Sequence, residues 1–316
     1  MSILVLFAAP CLAGLVLVIV GVLVFTGVLG VERTGLHVGA QVARCVGSLL
    51  GVVVGTGFLV LGVGGQSSPG PLGYGAIATL GPGIGAAVLV LAITIGERTF
   101  SAPHVNVRSA SLVRRTTGTV VPRSALLIGI ASLVMLAILS LLGTALSDGG
   151  RAYTAVRHLP TGEVTRSGAT PFPGHHYTLP MWGGILVLLL CSALAIRAIL
   201  LRRPSDDTRD ILLRRRSSTS VIGAVVLATA ASMLPVASLI IARLLTSDGL
   251  ARTTTTEQAC IAVAAIGVVT GLVALPVGFV MVVFPEVLAR YSSVPSARTP
   301  EPSAPSATST PARGGH

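Results

Sequence analysis

Apolar residues in this chain fall in long runs, and charge is confined almost entirely to the stretches between them. A helix crossing a membrane needs about 20 mostly apolar residues, because each adds ~1.5 Å of rise against a ~30 Å hydrocarbon core. Seven runs meet that requirement: residues 3–30, 46–64, 73–96, 124–146, 180–201, 221–242 and 259–285. Arg197 falls inside the fifth run and is expected to snorkel to its boundary. The first run has no positive charge ahead of it and is much longer than the ~7–15-residue core of a secretion signal, so it reads as an uncleaved span. The third run carries Gly75, Gly81, Pro82, Gly83 and Gly85, residues tolerated in a membrane helix where other helices surround it.

The pattern predicts an all-α fold, a polytopic transmembrane helix bundle over residues 1–291. Residues 147–179 form its one long external loop. Residues 292–316 are rich in Pro, Ser and Thr, have few large apolar side chains, and are expected to be disordered. Residues 202–220 read as a short juxtamembrane helix leading into the sixth span. There Ser205 suits a cap, acids favour the first turn, arginines favour the last, and Asp210 is spaced to pair with Arg214.

Composition agrees with lipid as the solvent. Only 10% of the 316 residues are charged, against about 25% in a typical soluble domain. Mean hydropathy is +0.86. The net charge is +11, and all 22 basic residues are arginine, which suggests a bacterial coding bias. With seven spans, Arg151, Arg157, Arg166, Arg243 and Arg252 fall on one side, and the other seventeen arginines fall opposite. Basic loops stay in the cytoplasm. The amino terminus is therefore expected outside and the carboxyl terminus inside a plasma membrane. The charge then belongs to topology and to anionic lipid headgroups at the arginine clusters, and it is poor evidence for a nucleic-acid partner.

Few residues suggest chemistry. The external loop holds His158 and the run Thr170-Pro-Phe-Pro-Gly-His-His-Tyr177. His158, His175, His176 and Tyr177 are candidates for ligand or partner contact. The histidines alone make an incomplete metal set, because a site usually needs three or four ligands. Tyr177 and Trp182 could equally anchor a helix at the interface. Asp206, Asp207 and Asp210 spell Asp-Asp-x-x-Asp, a spacing seen where carboxylates hold magnesium against a diphosphate. A second acidic motif is missing and arginines flank this one. Gly47, Gly51 and Gly55, with Gly81 and Gly85, give small residues at four-residue spacing, which lets helices approach closely. Pro235, Pro276 and Pro285 lie in the last two runs. Cys11, Cys45, Cys191 and Cys260 are at least 34 residues apart and read as packing residues. No cofactor or metal is expected.

Arg108-Ser-Ala-Ser-Leu-Val-Arg-Arg115, Thr170-Pro-Phe-Pro-Gly-His-His-Tyr-Thr-Leu-Pro180 and Asp210-Ile-Leu-Leu-Arg-Arg-Arg-Ser217, with the span pattern, resemble uncharacterised integral membrane proteins of actinobacterial type. The resemblance covers most of the chain except the tail and implies no activity. The sequence thus leads to a non-enzymatic multi-pass protein acting through lipid or membrane-protein contacts. The alternatives are a small-solute or lipid transporter or channel, resting on the proline- and glycine-bearing spans, and an intramembrane enzyme using the Asp-rich motif.

Overall fold

The computed structural model describes residues 38–64, 72–73, 75–98, 120–158, 164–201, 207–248 and 254–285. The expected first span, 3–30, and the tail, 292–316, lie outside the described residues. Among the described residues, six long helices follow one another: α1 (Val38–Gly64), α2 (Gly81–Arg98), α3 (Arg123–Leu146), α4 (His175–Leu201), α5 (Asp207–Asp248) and α6 (Thr255–Val283). A 3-10 helix, Ala76–Leu80, precedes α2. Five of these helical segments, Ala76–Arg98, Arg123–Leu146, His175–Leu201, Leu213–Thr246 and Thr255–Val283, are long and apolar enough to cross a membrane. The apolar part of α1, Val46–Gly62, is shorter. At 17 residues it rises only about 26 Å.

The bundle is organised around α5, which packs against α2, α3, α4 and α6. One turn after another of α5 is enclosed, from Arg214 through Ile240 to Leu244. The outer helices turn large apolar side chains away from the bundle, among them Leu127 and Leu141 on α3, Leu186 and Leu194 on α4, and Ile266 and Leu272 on α6. In water such a surface would be a liability; in lipid it is the solvated face.

Between helices in lipid there is little hydrophobic driving force, so association rests on close packing. The glycines of α1 and α2 show how close. A Cβ on Gly51 would stand 2.6 Å from the Gly85 carbonyl oxygen, and one on Gly81 would stand 2.7 Å from that of Gly55. A Cβ on Gly47 would collide with Ala92. Gly83 serves the other side of α2, where a Cβ would fall 2.6 Å from the Gly184 carbonyl oxygen of α4. Glycine recurs in Gly81-Pro-Gly-Ile-Gly85 because this first turn and a half of α2 has a backbone neighbour on two faces.

Three boundaries differ from the sequence reading. Residues 207–220 are not a separate juxtamembrane helix: α5 runs unbroken for 42 residues from Asp207, and 202–206 lie outside the described residues. The helix of the fifth apolar run, α4, starts at His175, not at residue 180, with the Tyr177 and Thr178 amides donating to the Gly174 carbonyl. Pro180 then lies inside the helix, where it forfeits one backbone bond. The expected loop 147–179 holds an antiparallel hairpin, β1 (Tyr153–His158) and β2 (Val164–Ala169), with Tyr153 opposite Ala169 and His158 opposite Val164. Among the described residues the fold is thus mostly helical, as expected, with one two-stranded sheet that the sequence reading did not include. Tyr153 and Ala155 face inward while Thr154 and Val156 face out, the period-two alternation of a half-buried strand.

Candidate functional site: the two polar ends of the bundle

Polar side chains concentrate at the two ends of the apolar bundle. One end carries the arginine-rich start of α5. There Arg214 is only 1% exposed. Its guanidinium donates to the carbonyls of Ile199 and, at 3.1 Å, Leu200. Those residues close α4, whose last carbonyls have no partner within the helix and sit at the negative end of its dipole. A cation supplied by a neighbouring helix answers both needs. Three residues on, the Ser217 hydroxyl donates to Glu97 Oε1 at 2.5 Å, and both residues are buried. Ser218 donates to the Val120 carbonyl at 2.9 Å, and Ser220 to that of Val282 at 3.4 Å. Arg98, Arg123 and Arg197 sit at this same end and are exposed.

The other end carries the hairpin. Buried Tyr153 donates its hydroxyl to Glu257 Oε1. The other Glu257 oxygen accepts from the Thr254 amide at 2.7 Å, and the Thr254 hydroxyl receives the Glu257 amide, a capping box that starts α6. One carboxylate thus caps a helix and anchors a strand. The Tyr153 ring lies 5.4 Å from that of Phe172, which is fully buried. Arg243 of α5 donates to the Pro171 carbonyl at 3.3 Å, beside the cis Thr170–Pro171 bond.

His175 and His176 sit here but do not converge. Successive helical residues point about 100° apart. His175 is exposed and its ring fills the place a Cβ would take on Gly150, whose φ of +76° also favours glycine. His176 is half-buried, donates from Nε2 to the Gly73 carbonyl at 3.2 Å, and meets Tyr177 edge to face at 5.0 Å. The Tyr177 carbonyl accepts from Thr79 at 3.0 Å. His158 ends β1, with its side chain outside the described residues. Asp206 lies outside the described residues. Asp207 and Asp210 are in the first turn of α5, and their side chains are also outside. Among the described residues, no three His, Cys, Asp or Glu side chains gather as metal ligands would.

Trp182, read from sequence as an interface anchor, turns inward. Its indole N–H donates to the Ser140 hydroxyl of α3 at 3.1 Å. Pro276 lies on the outward face of α6, and Gly271 and Gly278 face α5 instead. Sequence reading missed Glu97, Arg214 and Glu257 as organising groups. Thr254-x-x-Glu257 was a legible capping signal. Nothing local marks Glu97, whose partner lies 120 residues away, and helical spacing singled out Arg214 only toward Asp210, not toward carbonyls 14 and 15 residues away.

No family model, curated protein or solved structure matches the chain. The class it falls in is set by its own architecture: a mostly helical protein with, among the described residues, five helices of membrane-crossing length and two polar ends.

Proposed function

We propose that the chain is a seven-span plasma-membrane protein with its amino terminus outside and its arginine-rich end and carboxyl terminus in the cytoplasm. It acts without catalysis, through contacts. The cytoplasmic end meets anionic lipid headgroups or a membrane-protein partner, and the hairpin with His158, His175, His176 and Tyr177 faces outward.

One observation carries this reading. Arg98, Arg123 and Arg197 come from three different helices, stand at one end of the bundle and are exposed. Near an anionic membrane surface each such arginine contributes about 1 kcal/mol. Arg214 and Arg216 are buried and take no part in that surface.

Reconstitution into nanodiscs of mixed anionic and zwitterionic lipid tests the proposal. The protein should enrich anionic lipid around itself. The triple variant Arg98→Gln, Arg123→Gln, Arg197→Gln should lose most of that enrichment, while Arg214→Met should keep it. Equal lipid composition around wild type and triple variant would refute the electrostatic part. Affinity purification from native membranes addresses the partner: a defined companion should copurify, and repeated recovery of the chain alone would count against it.

A further inference from the structure

Arg214–Ser220 bonds to four other elements, each near the end of a helix. Arg214 reaches the last turn of α4, Ser217 reaches Glu97 in the last turn of α2, Ser218 reaches Val120 just before α3, and Ser220 reaches Val282 at the close of α6. Between them Thr219 is fully buried and bonds back to the Arg215 carbonyl of its own helix at 2.8 Å. Beyond Ser220 the contacts change character at once. Val221, Ile222, Ala224, Val225 and Val226 are all buried and apolar.

The two halves of this interface respond differently to separation. Each polar contact joins a hydroxyl or guanidinium to a group at a helix end. The segment is buried while the end is closed, but once that end parts water can satisfy both partners, so each neutral contact nets only about 0.5–1.5 kcal/mol and the Arg214 contact about 1.5–3 kcal/mol. The apolar contacts above have no such substitute. Separation that begins at the arginine-rich end should therefore stop at Val221.

We propose that Arg214–Ser220 is a latch. It closes the arginine-rich end of the bundle by fastening α2, α3, α4 and α6 to α5, and it opens locally while the helices beyond Val221 stay packed. Such sub-global openings are expected where polar contacts dominate. The proposal does not depend on which partner the protein meets.

Thiol labelling tests it in the full-length chain in nanodiscs, with Cys11, Cys45, Cys191 and Cys260 replaced by alanine. Thr219→Cys reports the latch without removing a bond to another element. Val226→Cys, two turns along the same face, reports the apolar zone. A water-soluble maleimide should label position 219 slowly and position 226 not at all. Adding Ser217→Ala, or the stronger Arg214→Met, should raise the rate at 219 roughly tenfold by weakening a fastener, leaving 226 silent. If position 219 is as unreactive as 226 with and without Ser217→Ala, the segment is static core and the proposal fails. If both positions label alike, the opening is not confined and the proposal also fails. Ser217→Ala removes one hydroxyl, so the decision stands even if Arg214→Met does not fold.

Discussion

Arg214 is an enclosed cation whose partners are backbone carbonyls, and its replacement has a defined consequence. Arg214→Met keeps an unbranched apolar side chain and removes the donors. The Ile199 and Leu200 carbonyls then lose their cap. Hydrogen bonds to charged groups contribute about 1.5–3 kcal/mol, and a thermal melt in detergent should fall by an amount in that range. At the opposite end, Tyr153→Phe keeps the ring stacked near Phe172 and removes only the bond to Glu257. It should cost a similar amount and raise protease sensitivity in the hairpin. An unchanged melt for both variants would show that these bonds have no energetic role. Residue-level detail of this kind was the least legible part of the sequence. A capping box has a local spacing, and Thr254-x-x-Glu257 shows it. Tyr153 meeting Glu257 joins positions 104 apart, and no pattern along the chain encodes that meeting.

Among the elements, helix positions were legible because hydropathy is a one-dimensional signal. The apolar runs at 73–96, 124–146, 221–242 and 259–285 each coincide with a helix. Helix ends were less so. The α5 helix continues through 207–220, where Arg214, Ser217, Ser218 and Ser220 find partners on four neighbours, which overrides the boundary that charge alone suggests. At 42 residues α5 rises about 63 Å, roughly twice a hydrocarbon core. That length is enough for its arginine-rich start to stand clear of the lipid tails in the proposed topology. The glycine spacing of α1 and α2 was visible in sequence; which glycine faces which helix was not, because that depends on how α2 is rotated between α1 and α4. The geometry makes a contrast testable. Gly85→Val places a branched side chain on the Gly51 carbonyl and should destabilise by about 1–3 kcal/mol, as overpacking does. Gly57→Ala has nothing within 4 Å of the new Cβ and should be neutral or slightly stabilising. Equal melts for the two variants would contradict the packing described.

For the whole molecule, the arginines do two jobs that composition cannot separate. Arg98, Arg123 and Arg197 are exposed at one end, whereas Arg214 and Arg216 are enclosed there. Anionic lipid should follow the first group and stability the second. The account as a whole stands on the two ends lying on opposite sides of a membrane, with the arginine-rich end inside. Single cysteines at Thr161, between β1 and β2 in the sequence, at Ala251, between α5 and α6, at Ala110, between α2 and α3, and at Ser205, between α4 and α5, test this directly in intact cells with the native cysteines replaced. A membrane-impermeant maleimide should label positions 161 and 251 without permeabilisation, and positions 110 and 205 only after it. Labelling of all four alike, or of 110 and 205 alone in intact cells, would contradict the proposed topology.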